Sequence, residues 1–272
     1  MLHLDGISLT YHAGTSMEVP ALRNVGLRIA AGEFVTVVGS NGAGKSSLVQ
    51  IVSGAVRPTA GRVLVDGRDV TRWPDHRRAA LVARVFDNPH AGTAPQLSIE
   101  ENMALALARG SRRRLRFALT GSRRDVMRER LAVLGLGLEA RLSDPVTMLS
   151  AGQRQSLTMV MAGLTRPKVL LLDEHLAALD PGTQRTVLDL TVRLARDSGC
   201  ASLMITHNME QAITVGDRLL VMSRGRVIAD VHGAAKRALT VSRLIDLITG
   251  AGDVVSDRAV LVEATTDAER RP

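Results

Sequence analysis

Nine consecutive residues, Gly39-Ser40-Asn41-Gly42-Ala43-Gly44-Lys45-Ser46-Ser47, have the types and spacing to hold a triphosphate. Gly39, Gly42 and Gly44 let the chain curl so that successive backbone N–H groups point inward at phosphate oxygens. Lys45 adds a positive charge for the β- and γ-phosphates. Ser46 offers a hydroxyl to Mg²⁺, and the helix opening at Ser47 favours an anion at its N-terminus. The flanks fit this chemistry. Phe34-Val35-Thr36-Val37-Val38 reads as a buried parallel strand, and Ser47-Leu48-Val49-Gln50-Ile51-Val52 as the first turns of a helix. A glycine-rich turn with no ligand is the alternative, and the strand–loop–helix context disfavours it. The chain is expected to bind a nucleoside triphosphate.

Two further strand ends carry chemistry. Val169-Leu170-Leu171-Leu172 runs into Asp173-Glu174, and the apolar segment 201–206 runs into His207. Ligands of parallel α/β sheets sit at the carboxyl edge of the strands, so Lys45, Asp173, Glu174 and His207 are expected to face one crevice. A carboxylate at the end of four apolar residues needs a cation, and Mg²⁺ held jointly by Ser46 and Asp173 supplies one. Glu174 is placed to polarise a water for attack on the γ-phosphate, with His207 hydrogen-bonding that phosphate or the water. An ordinary strand-to-loop transition and a structural histidine are the bland alternatives.

The elements that must position these groups alternate between strand and helix patterns. Residues 4–9 and 23–29 read as strands of an antiparallel layer, with Tyr11 in the loop between them. Asp66-Gly67 between the runs of 63–70 signals a hairpin. A short strand is expected at 83–86. From 98 to 142 the pattern turns helical: Ile99, Met103, Leu105 and Leu107 suggest one helix, and Val126, Leu131, Leu134 and Leu138 another. A helix near 183–197, a closing hairpin through Gly225 and a last helix over 239–248 complete the pattern. The expected fold is α/β: a P-loop core with an N-terminal antiparallel β layer and an inserted helical subdomain. Residues 1–235 would form one ATP-binding domain with about 90–165 inserted. Residues 236–272 would be a C-terminal helix and tail, frayed beyond residue 250.

Composition excludes several classes. Hydrophobic residues make up 45% and aromatic residues 2%, so the core must be aliphatic. A single cysteine, Cys200, cannot form an internal disulfide. No run of apolar residues is long enough to span a membrane, and the N-terminus lacks the form of a signal peptide, so the chain is expected to stay where it is made. The net charge of +8 draws on an arginine-rich stretch at 109–130. Such a stretch suits an anionic partner, an anionic membrane surface or a solvated helical face.

With these residues in view, the chain resembles the ATP-binding subunits of ABC transporters over roughly residues 2–235. Leu149-Ser150-Ala151-Gly152-Gln153 is similar to the family signature, usually Leu-Ser-Gly-Gly-Gln. Ser150 would cap the following helix, leaving its hydroxyl and nearby N–H groups to hold an anion. The resemblance implies that this helix faces the γ-phosphate bound by a second subunit, so that two chains, identical in the simplest case, enclose two ATP molecules. It places Ser150, Ala151, Gly152 and Gln153 among the nucleotide-binding residues, and Asp180 in the loop passing between subunits. Tyr11 matches the aromatic that stacks on adenine, although it could equally pack on the N-terminal sheet.

Two positions depart from the family. Ala151 replaces a glycine, which would cost about 1–2 kcal/mol if that position needed positive φ and nothing at a helix start; the latter is expected. Asp87 stands where the family has a glutamine touching the metal and the attacking water, in a loop that contacts the membrane subunits. Shorter and negatively charged, Asp87 could bind Mg²⁺ more directly, beside Ser46 and Asp173, or misplace the water; the expectation is slower but retained hydrolysis.

Segments Ala91-Gly92-Thr93-Ala94-Pro95, Asp173-Glu174-His175 and Thr206-His207-Asn208-Met209-Glu210-Gln211 look like a bacterial importer subgroup associated with tryptophan- or tyrosine-type substrates. The resemblance therefore implies a Mg²⁺-dependent ATPase at the cytoplasmic face of the cell membrane, energising separate permease subunits that work with a solute-binding protein. A soluble ABC ATPase acting on nucleic acid or ribosomes is the alternative. The lack of aromatic interleaving and the single cassette weigh against it, so no nucleic-acid partner is expected.

Overall fold

The computed structural model describes residues 1–110 and 119–250. The arginines at 112, 113, 114 and 116 and the expected tail beyond residue 250 lie outside the described residues.

Alternating apolar and polar residues make Leu2–Tyr11 (β1) and Val19–Ile29 (β2) strands with one dry face. Leu2, Leu4, Ile7 and Leu9 point into the core; the step from Leu4 to Ile7 breaks strict alternation. A register shift there, at Gly6 with φ of 61°, returns the apolar set to the same face. Ala60–Val65 (β4) and Arg68–Asp69 (β5) complete this antiparallel sheet in the order β2-β1-β4-β5. Asp66 and Gly67 both take positive φ, 52° and 76°, so the expected hairpin turn is present.

The second sheet has Phe34–Gly39 (β3) near its centre. Val82–Val85 (β6), Val169–Asp173 (β7), Ala201–Ile205 (β8), Arg218–Ser223 (β9) and Arg226–His232 (β10) join it in the order β10-β9-β3-β8-β7-β6. All of its pairings are parallel except β10 with β9. Every residue of β3, β7 and β8 is buried, as continuous apolar runs demand when helices cover both faces. On one face Val35, Val37, Leu171, Leu203 and Ile205 pack with Leu48, Ile51 and Val52 of the helix Lys45–Ser53 (α1) and with the antiparallel sheet. On the other, Leu170, Leu172 and Met204 meet Met159 and Leu190. Those two side chains come from Ala151–Gly163 (α5) and Pro181–Ser198 (α6).

The end of α1 is held by the buried Arg78, which lies on the short helix Asp75–Arg78 (α2). Its guanidinium donates to the carbonyls of Ile51, Val52 and Thr71, and burial pushes its pKa down to about 10.

Between β6 and β7 lie Ile99–Leu107 (α3), Gly121–Ala132 (α4) and α5, with a core of their own: Ile99, Met103, Met127, Leu131, Leu138 and Leu157. The second expected helix stops at Ala132, short of Leu134 and Leu138. Gly135 and Gly137 take positive φ, and Leu138 begins a separate short turn. Met209–Thr214 (α7), Gly233–Arg237 (α8) and Val241–Gly250 (α9) follow, and α9 docks through Leu244 and Ile248 near Val38 and Val221. Among the described residues, no helix is long and apolar enough to cross a membrane.

Candidate nucleotide site

The glycine-rich loop leaves β3 at Gly39, whose φ is 154°; a Cβ there would lie 2.1 Å from the Met222 carbonyl oxygen. At Gly44, the N-cap of α1 with φ of 99°, a Cβ would sit 2.6 Å from the Ala21 carbonyl oxygen. Only glycine fits these two points. Gly225, in the β9–β10 turn, donates its N–H to the Ala43 carbonyl and braces the loop from behind. Asn41, Gly42 and Ser46 are exposed at its mouth, while Lys45 is buried.

The Lys45 ammonium donates to the carbonyl oxygens of Gly39 (2.7 Å) and Ser40 (2.9 Å). Burial pushes its pKa down, and the carboxylates of Glu174 and Asp173 oppose that shift. Tyr11 lies at the end of β1 and not in the following loop. Its hydroxyl donates to Gln50 Oε1 (2.8 Å) and sits 3.3 Å from Ser47 Oγ, so the ring stands beside the loop and also packs on the core of the N-terminal sheet.

Strands β3, β8 and β7 are neighbours, so the groups that follow them meet at one edge. His207 Nε2 is 2.7 Å from Glu174 Oε1, and this contact holds the Glu174 carboxyl below the usual range against the opposing effect of burial. His207 was expected to reach phosphate or water; here its partner is Glu174. The backbone at Glu174 is left-handed, with φ of 49°, an uncommon state for a residue with a side chain. Two hydrogen bonds hold it, from Glu174 N–H to the Ile205 carbonyl (3.1 Å) and from Ala177 N–H to the Glu174 carbonyl (2.9 Å).

Asp173 was expected to find its cation in Mg²⁺. The structure places one already beside it: Arg84 Nη2 donates to Asp173 Oδ2 at 2.7 Å. Burial pushes the Asp173 pKa up, Arg84 pulls it down, and the charges of Glu174 and Asp87 push it up again. Asp87 itself is exposed, just beyond β6.

Gln155 of α5 is fully buried, and its amide donates both to the Phe86 carbonyl (3.0 Å) and to the His175 carbonyl (2.7 Å). One side chain thus ties the segment entering Asp87 to the segment leaving Glu174. The imidazole of His175, with its pKa lowered to about 3 by complete burial, lies 3.0 Å from Thr191 Oγ1 on α6. Arg84 and Gln155 escaped the sequence reading. A charged residue inside the apolar run Val82–Val85 was the readable signal for the first.

Ser150 is the N-cap of α5, with φ of −63° and ψ of 163°. Its Oγ accepts from Gln153 N–H (3.2 Å) while Gln153 Oε1 accepts from Ser150 N–H (3.1 Å). This reciprocal box leaves the exposed Ser150 hydroxyl proton free to donate. Ala151 is the first helical residue and is not among those with positive φ, so its methyl group costs nothing. Gly152 faces α6, where a Cβ would lie 2.3 Å from Thr183 Cγ2. Asp180 caps α6 by accepting from Thr183 N–H (3.1 Å), and hydrogen bonding to Thr183 holds its pKa low.

For a divalent cation the relevant donors are hard oxygens, the Ser46 hydroxyl and the Asp173 carboxylate. Among the described residues no group of three or more His, Cys, Asp or Glu could hold a metal on its own. That donor set fits Mg²⁺, which binds proteins through one or two oxygens and completes its shell with phosphate and water.

The sequence matches a family model described as ABC transporter over residues 22–177. A tyrosine transport ATP-binding protein of Clostridioides difficile is 37% identical over 246 residues, covering 90% of this chain and 98% of that protein. A methionine import ATP-binding protein of Cupriavidus necator is 37% identical over 233 residues, covering 84% of this chain but 64% of its own greater length. Among solved structures, a dimeric post-hydrolysis state of an ATP-binding cassette bound to ADP and Pi superposes with a TM-score of 0.73 at 28% identity, covering 85% of this chain and 98% of that one. A cassette in its ADP conformation gives 0.76 at 21% identity over 93% and 98% of the two chains, a likeness of fold.

Proposed function

Because this chain belongs to the ABC transporter family of ATP-binding proteins, we propose that it energises a membrane importer of a small solute, most closely an amino acid. The protein is an ATPase that binds ATP with Mg²⁺. Residues 1–235 are taken as the ATP-binding domain, with 90–165 as a helical insert. The tyrosine and methionine importers among its relatives support the amino-acid class.

In this reading Lys45 leaves the carbonyls of Gly39 and Ser40 for the β- and γ-phosphates, and the backbone N–H groups from Ser40 to Ser47 cradle the phosphate chain. Tyr11 provides the adenine platform. Ser46 and Asp173, with Asp87, would hold Mg²⁺, which would supply positive charge to stabilise the phosphates. Glu174 orients and polarises the attacking water, and His207 keeps Glu174 ionised and aimed. Ser150, Ala151, Gly152 and Gln153 present the hydroxyl and free N–H groups of a helix start to the γ-phosphate on a second copy. Asp180 lies at the seam. Closure of the pair transmits work to permease subunits on the cytoplasmic face of the membrane, and a separate solute-binding protein delivers cargo.

The observation that carries this reading is the meeting of Lys45, Asp173, Glu174 and His207 at one sheet edge, in a chain that also carries an exposed, capped Ser150. Purification of the tagged chain from gently solubilised membranes tests it. Recovery of membrane-spanning permease subunits is expected. Recovery of nucleic acid instead, with binding that falls steeply as salt rises, would replace the importer reading with the nucleic-acid one.

A further inference from the structure

Arg84 stands on β6 in parallel register with Leu171 of β7, so its side chain shares a sheet face with Leu171 and Asp173. It is largely enclosed: 20% of its side chain and 10% of that of Asp173 are exposed. Its guanidinium makes one hydrogen bond to Asp173 and lies over the Phe86 ring, 4.5 Å from the centroid. Its Nε is buried without a hydrogen-bond partner. A guanidinium with five N–H groups and so few contacts is held mainly by the carboxylate it faces. Lys45 also acts on that carboxylate electrostatically. A divalent ion arriving at Asp173 would compete with the Arg84 guanidinium for the same carboxylate.

We propose that Arg84 is a built-in counter-ion that occupies Asp173 before the metal does, so that Mg²⁺ must displace it to complete the ATP site. Arg84 is then a positioning residue acting through Asp173: it holds the carboxylate in place by a direct hydrogen bond, and it sets the metal concentration at which the site assembles. Asp87 belongs to the same edge, since its charge is felt at Asp173. This inference rests on the ATPase reading.

The test measures Mn²⁺ binding by electron paramagnetic resonance to the full chain preloaded with ADP, comparing the parent with Arg84→Met and Arg84→Lys. If the bridge leaves about a tenth of molecules competent for metal, Arg84→Met should bind Mn²⁺ roughly tenfold more tightly. Arg84→Lys, which keeps the charge, should stay within about twofold of the parent. ADP binding in metal-free buffer should be the same in all three. Equal or weaker Mn²⁺ binding by Arg84→Met, with ADP binding intact, would overturn the proposal. A parent that fails to bind ADP would instead defeat the ATPase reading. Should Arg84→Met not fold, the guanidinium nitrogen resonance of Arg84 in the ADP-bound parent gives the same answer. It should shift when Mg²⁺ is added, and an unmoved signal would sink the idea.

Discussion

At the level of single residues, the chemistry rests on side chains whose surroundings oppose one another. Burial disfavours ionised Asp173 while Arg84 favours it; burial disfavours ionised Glu174 while His207 favours it. Asp87 adds a third negative charge to this edge, one methylene nearer the backbone than the usual glutamine. Asp87→Gln should therefore raise kcat for ATP hydrolysis about threefold or more, by restoring the reach of an uncharged amide to the water. A variant no faster than the parent in steady-state assays would show that Asp87 positions the water as well as glutamine would. Lys45 was legible from the glycine-rich loop that carries it, and Asp173, Glu174 and His207 from their places at or just beyond the ends of apolar strands. Arg84 and Gln155 were not, because their partners lie 89 and 69 positions away, and only the pairing of strands and helices brings them together.

At the level of elements, two contacts set how helices meet one another. The first is the close approach of α5 to α6 at Gly152, with no room for a methyl group beside Thr183. Gly152→Ala should cost about 1–3 kcal/mol in chemical denaturation, and Thr183→Ser, which removes the obstructing methyl group, should recover much of it. Additive losses in the double variant would place the strain elsewhere. The second contact is the forked hydrogen bond from Arg124 of α4 to Glu100 of α3, with Nε to Oε2 at 2.6 Å and Nη2 to Oε1 at 3.1 Å. This bond is the main reason the Glu100 carboxyl ionises below its ordinary value of 4.5. A depressed carboxylate pKa gives stability that is present above the unfolded-state value and lost as pH falls through the folded-state value. Glu100→Gln should lower Tm near neutral pH, and the gap from the parent should close as pH is taken well below 4.5. A gap that persists in acid would mean the loss is packing and not charge. Helix existence was readable from apolar spacing, whereas the early stop of α4 was not: Leu134 and Leu138 continue the period, but Gly135 and Gly137 take left-handed backbone.

At the level of the whole molecule, the lysine loop lies at the edge of the parallel sheet and the exposed Ser150 at the start of a helix in the insert. Two-chain closure is therefore the assembly that the importer reading requires. Glu174→Gln, which retains hydrogen bonding but removes the base, should accumulate as an ATP-dependent dimer in size-exclusion chromatography, with kcat reduced about 100-fold or more. A monomeric elution at saturating Mg-ATP, beside an active parent, would count against the two-copy arrangement. The division into an α/β core and a helical insert was legible from the change of period near residue 98; the docking of α9 through Leu244 and Ile248 could not be placed from its pattern alone. Because the Lys45 ammonium is already satisfied by two carbonyls of its own loop, a phosphate reaching it is met by an exchange of bonds, not by the first relief of a stranded charge.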